Sequence, residues 1–144
     1  MNLSGAFPKL TDEEHAWLVS SAETLTYGSG DAVISEGDVI ESLLIIKSGF
    51  LRVTRVYLDE ICAEFAGPLG PGEVIGEMSL MDRKGASANL IADGSAEILS
   101  IPKRILFEKL ENDVSFAARF YESLFLDVTR KLRSTNQRVM PVPP

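Results

Sequence analysis

Gly76-Glu77-Met78-Ser79-Leu80 places a glycine, a carboxylate and the start of a helical turn in direct succession. A helix start leaves backbone N–H groups without carbonyl partners, and such groups favour an anion such as a phosphate. Glu77 cannot serve to bind that anion, because like charges repel. It suits an acceptor for a sugar hydroxyl on the same ligand, and its removal is then expected to spare the fold. A plainer role also fits it, as a first-turn acid that complements the helix dipole. The turn Gly70-Pro71-Gly72-Glu73 precedes the segment and the small-residue run Gly85-Ala86-Ser87-Ala88 follows it. Arg83 and Lys84, just upstream of that run, could swing a cation toward a phosphate or could be solvated loop charges.

These residues need a scaffold, and the flanking texture predicts one. From Thr24 to Ile101 short runs of Val, Ile, Leu and Phe are divided by turn residues at Gly28 to Asp31, Glu36 to Asp38, Ser48-Gly49, Gly67 to Gly72 and Asp93-Gly94. That spacing predicts an antiparallel barrel or sandwich interrupted only by a helical turn near 77–81. Alternation supports it in Ile61-Ala63-Phe65 and in Ala88-Leu90-Ala92. Upstream, Thr11-Asp12-Glu13-Glu14 forms a capping-box pattern that opens a short helix turning Trp17 and Leu18 inward. Downstream, Pro102 suits the first position of another helix, and a last helix begins near Asp113. There Phe116, Phe120, Leu124, Val128 and Leu132 recur every four residues, with Ala117, Tyr121 and Phe125 beside them. The stripe is wide enough to cover the sheet and also to meet a partner. A homodimer through Phe120, Leu124, Phe125, Val128 and Leu132 is expected. Met140-Pro141 should stop the helix.

Composition excludes several functions. The 144 residues suit one domain over 1–144, and the 45% hydrophobic content is ordinary for a globular chain. No apolar run approaches the ~18–20 residues of a membrane span, and no signal peptide opens the chain. One cysteine, Cys62, excludes an internal disulfide and fits a reducing cytoplasm. It reads as a strand residue. A net charge of −7 argues against sequence-independent nucleic-acid binding, which needs a basic face. The single histidine, His15, reads as a surface residue and cannot supply a histidine-based metal cluster. No serine lies in a Gly-x-Ser-x-Gly context. A metal, a cofactor and enzymatic activity are therefore not expected.

The order of elements resembles the cyclic-nucleotide-binding domain of Crp/Fnr-type regulators, kinase regulatory subunits and gated channels, over about residues 10–138. The glycine framework carries the resemblance: Gly30-Asp31, Glu36-Gly37-Asp38, Ser48-Gly49, Gly70-Pro71-Gly72-Glu73 and Gly76-Glu77. It implies a mainly β fold with flanking helices: an antiparallel β-barrel or jelly-roll with a short N-terminal helix and two C-terminal helices. It further implies that Gly76 admits the sugar-phosphate, that Glu77 accepts from the ribose 2′-hydroxyl, and that backbone N–H groups around Met78 to Leu80 face the cyclic phosphate. Ser87 and Ala88 match the small residues closing that site, and Asn89 matches the position that touches the base. The family's arginine falls on Ala86. A charge-assisted hydrogen bond contributes roughly 1.5–3 kcal/mol, so its absence implies weaker binding. Leu132 to Asn136 with Val139 resembles the last helix of single-domain members, and with five residues after Val139 no DNA-reading winged helix is expected from this chain.

The reading is a cytoplasmic, non-enzymatic regulatory protein that binds cyclic AMP, cyclic GMP or a related nucleotide and signals through its C-terminal helices to a downstream protein. The alternative is a dimerisation or docking module of the same fold whose ligand site has decayed. A third, a shortened DNA-binding regulator, requires a longer natural chain.

Overall fold

The computed structural model describes residues 3, 5–57, 60–62 and 68–138. The elements run α1 (Asp12–Ser21), β1 (Glu23–Tyr27), β2 (Ala32–Ile34), β3 (Ser42–Tyr57), β4 (Glu60–Cys62), β5 (Val74–Ile75), α2 (Glu77–Asp82), β6 (Asn89–Pro102), α3 (Lys103–Asn112) and α4 (Val114–Arg138). Every strand pairing is antiparallel, along the path β1-β6-β3-β4, with β2 added to β6 and β5 to β3. The sheet rolls in the manner of a jelly-roll and does not close, since β1 and β4 end the path. Among the described residues, the one helix inserted between strands is α2, as the sequence predicts.

The two long strands β3 and β6 form the spine, from Ser42 opposite Pro102 to Thr54 opposite Asn89. Their register shifts between Ile46 and Phe50, at a bulge that bends the pair. Gly49 sits there with φ +87°, and a Cβ on it would press on the Ser95 carbonyl and lie 2.8 Å from Ala96 Cα. Only glycine fits. Ala88, Leu90 and Ala92 point inward, as the alternation predicts. Ala63 and Phe65 lie outside the described residues, as do Gly67, Val139 and Met140. Cys62 pairs with Arg55 across β3 and β4, in the strand role expected of it.

Helices pack on the long strands, α1 and α3 against β6 and α2 and α3 against β3, and α4 packs on α3. The capping box closes as expected: Glu14 N–H donates to Thr11 Oγ1 at 3.2 Å, and Thr11 N–H to Glu14 Oε1 at 2.9 Å. Leu18 is fully buried, and Trp17 meets Phe116 edge-on with ring centroids 5.4 Å apart. Pro102 ends β6 and caps α3 instead of entering it. Asp113 caps α4 by accepting from Phe116 N–H at 3.0 Å. A fully buried Phe7 stacks on Phe120 at 5.2 Å, so the segment before α1 belongs to the core. That segment explains His15, which is half-buried and donates through Nε2 to the Phe7 carbonyl at 2.7 Å instead of facing solvent.

Glu14 has a second, long-range role. Arg119 of α4 donates to both its oxygens, at 2.8 and 2.7 Å. The guanidinium holds the Glu14 carboxyl at about 2, against an ordinary 4.5, despite the opposing effect of burial. A depressed carboxyl contributes stability that is fully present above its unfolded pKa and is lost as pH falls through the folded one. Arg119→Met is therefore expected to lower stability near pH 7 by about 1.5 kcal/mol, the low end for charged hydrogen bonds, because Arg119 is 37% exposed. In denaturant titrations the gap between variant and parent should close between pH 4.5 and 2. A gap that persists at pH 2 would assign the effect to lost packing.

Candidate functional site

The chain leaves β5 through Gly76, whose φ of +69° turns it directly into α2. Beside this turn lies a cavity of about 420 Å³, within the usual range for small-molecule sites. Gly76, Glu77, Met78, Ser79, Ala86, Ser87 and Ala88 all line it. Its floor is apolar, from Ile34, Val53, Ile75 and Leu90, with Pro68 and Leu69 at one side. Seven residues picked out by their spacing in the sequence thus face one space.

The small-residue run is held there by a second loop. Gly37 N–H donates to the Ala86 carbonyl at 2.7 Å, and Ala86 N–H donates to the Asp38 carbonyl at 2.8 Å. Gly85 permits this approach, since a Cβ on it would lie 2.8 Å from the Gly37 carbonyl oxygen. The Glu36-Gly37-Asp38 turn is thereby part of the site's frame. Asn89 stands outside the cavity lining: its Oδ1 accepts from Glu36 N–H at 2.8 Å and ties the same two loops together. Arg83 and Lys84 are exposed and do not line the cavity either. Arg83 closes α2 in a left-handed conformation, with φ +63°.

Among the described residues, the charged ones that line the cavity are Glu73, Glu77, Arg130 and Lys131. The last two come from α4, as does Ser134, and pattern reading did not single them out as site residues. Glu77 is 4% exposed. Lys131 Nζ donates to Glu77 Oε1 at 2.9 Å and to the Val74 carbonyl at 2.6 Å, and lies 3.2 Å from Asp127 Oδ2. Burial pushes the Glu77 carboxyl above its ordinary value; the Lys131 ammonium opposes that shift, and Asp127 adds to it. Removing Glu77 would leave the ammonium the Val74 carbonyl and Asp127, but it would break a buried ion pair, so this side chain has a partner in the fold as well as a place on the cavity. Arg130 reaches Asp127 Oδ1 at 3.0 Å and Glu73 Oε1 at 3.6 Å. Glu73 Oε2 in turn accepts from Gly70 N–H at 2.6 Å. One polar network therefore joins α4 to the turns on both sides of β5.

The stripe on α4 divides in two. Phe120 and Leu124 are buried within the chain, whereas Phe125 is 71% and Leu132 59% exposed, with Val128 half-buried. Among the described residues, no helix is long and apolar enough to cross a membrane and no acidic, histidine or cysteine cluster could hold a metal ion.

The chain is similar to known proteins in sequence and in fold. The family model for the cyclic nucleotide-binding domain matches residues 24–113. The cyclic AMP receptor protein of Thermus thermophilus is 34% identical over 101 residues, covering 70% of this chain and 46% of its own length. The cAMP-dependent protein kinase regulatory subunit of Blastocladiella emersonii is 32% identical over 88 residues, 60% of this chain and 21% of its own. The chain thus spans less than half the length of either relative. Among solved structures, a cyclic nucleotide-binding domain from Methylobacillus flagellatus superposes with a TM-score of 0.85 at 20% identity, over 99% of this chain and 85% of its own. The Thermus thermophilus catabolite activator protein does so at 0.77 and 26% identity, over 93% and 61%.

Proposed function

The chain belongs to the cyclic nucleotide-binding domain family, and we propose that it is a regulatory sensor for cyclic AMP or a related cyclic nucleotide. The observation that carries this reading is the cavity itself, where the Gly76-Glu77 turn faces the small residues from Ala86 to Ala88 and α4 closes the side. In that space the N–H groups of Met78 and Ser79 meet the cyclic phosphate and Glu77 accepts from the ribose hydroxyl. The apolar floor takes the base. The ligand is bound, not transformed, and its occupancy reaches a downstream protein through α4, in the cytoplasm. Relatives named for cyclic AMP binding support the choice of ligand class.

Ala86 favours a second reading, a docking module that binds no nucleotide, because the side chain at that buried position offers a phosphate no charge. Calorimetry with cyclic AMP, cyclic GMP and linear 5′-AMP separates the two. Saturable heat with a cyclic nucleotide, and much less with the linear one, is expected. Equal, non-saturating responses to all three would leave the docking module.

A further inference from the structure

We infer that Lys131 of α4 is the residue that recognises the ligand's phosphate and so sets the preference for a charged nucleotide over a neutral nucleoside. The inference rests on the nucleotide reading above and names the cation for that site. Two cations line the cavity among the described residues. Arg130 is the outer one, with a side chain 57% exposed and held between Asp127 and Glu73. Lys131 is the inner one, 26% exposed, with its ammonium on the very carboxylate that faces the cavity.

Ligand chemistry makes that adjacency informative. In a 3′,5′-cyclic nucleotide the free hydroxyl and one phosphate ester oxygen sit on neighbouring ribose carbons. A ligand whose 2′-hydroxyl donates to Glu77 therefore brings its phosphate close to the same carboxylate. Two anions side by side repel, and more strongly in a partly buried site than in water. A cation at the carboxylate is what makes the pose tolerable, and Lys131 Nζ is already there at 2.9 Å. An ammonium is a compact charge on a flexible stem, so it can turn to the phosphate the N–H that it gives to the Val74 carbonyl at 2.6 Å, while staying beside Glu77 and Asp127. Lys131 directly precedes Leu132, on the exposed face of α4. The contact would therefore carry the ligand's charge to the helix that leaves the site.

The test compares cyclic AMP with adenosine, which keeps the 2′-hydroxyl and the base but lacks the phosphate. In the full chain, Lys131→Met is expected to weaken cyclic AMP about tenfold, the effect of one charged hydrogen bond, and to leave adenosine nearly unchanged. Lys131→Arg should keep most of the preference, and adding Ala86→Arg to Lys131→Met should restore it. Because Lys131→Met takes the ammonium from buried Glu77 and leaves Asp127 to Arg130, the pair Asp127→Asn with Lys131→Met is measured alongside, with thermal melts to establish folding. Cyclic AMP binding that is equally strong without Lys131, or that falls in step with adenosine, overturns the inference and leaves the nucleotide reading standing. No cyclic AMP binding by the parent or by Ala86→Arg removes both.

Discussion

Ala86→Arg is expected to tighten cyclic AMP binding by one to two decades. Among the described residues, the charged side chains lining the cavity balance at two acids, Glu73 and Glu77, against two cations, Arg130 and Lys131. The lining thus offers an anion no net attraction. A guanidinium at position 86 tips that balance from the small-residue side, opposite α4. Position 86 is framed by two backbone hydrogen bonds to the Gly37-Asp38 turn, so its Cα is fixed and a new side chain would be aimed, not adrift. A bidentate Arg–phosphate pair is among the stronger hydrogen-bonding arrangements. At roughly 1.5–3 kcal/mol for hydrogen bonds to a charged group, and ~1.4 kcal/mol per decade, the gain is about ten- to hundredfold. Adenosine should gain nothing, and titration calorimetry of both ligands on both proteins reads the difference. An unchanged cyclic AMP affinity in a folded variant would mean that the ligand's phosphate does not approach residue 86, and the assigned pose would be wrong.

Much of this geometry is legible in the chain because it is local. Glycines mark turns whose backbone only they adopt easily, Gly49 and Gly76 above all, and a carboxylate directly after Gly76 can lie only at the start of α2. Seven residues within thirteen positions then face one cavity because a turn and the strand after it bring them there. Position 89 escapes the same logic: Asn89 begins β6, but its amide is taken by Glu36 N–H, 53 residues away. The partners that α4 supplies are equally hidden. Lys131 lies 54 positions from Glu77 and Arg119 lies 105 from Glu14, and no periodicity records which charge on a helix will meet which turn. Charges at helix positions 130 and 131 look like ordinary C-terminal cations until the fold places the helix across the cavity. The antiparallel jelly-roll is as expected, and only its closure is hidden in a similar way, since strand spacing does not record whether the last strand returns to the first.

The apolar width of α4 is also visible in the sequence, while its division between core and surface is not, because both faces carry Phe and Leu. Burial resolves it. Val114, Ala118, Tyr121, Phe125, Val128 and Leu132 recur at spacings of four and three, the seam of a coiled coil, and each is exposed or half-buried. Phe120 and Leu124 point the other way. We propose that a second copy of the chain, packed seam to seam about a two-fold axis, covers this face. Sedimentation equilibrium is then expected to report twice the 15.7 kDa of one chain. Phe125→Glu combined with Leu132→Glu should convert the dimer to monomer. Each lost side chain removes roughly 1.5–3 kcal/mol of apolar burial, symmetry doubles the loss, and the new carboxylates would face one another across the seam. Because Phe125 and Leu132 are exposed within the chain, the variant's fold and far-UV spectrum should match the parent's. A parent that sediments as a monomer at high concentration, or a variant that stays dimeric, would place the contact elsewhere than on α4. The dimer also bears on ligand affinity, since Lys131 and Leu132 are neighbours: dissociation should alter cyclic AMP binding in the parent and not in Lys131→Met.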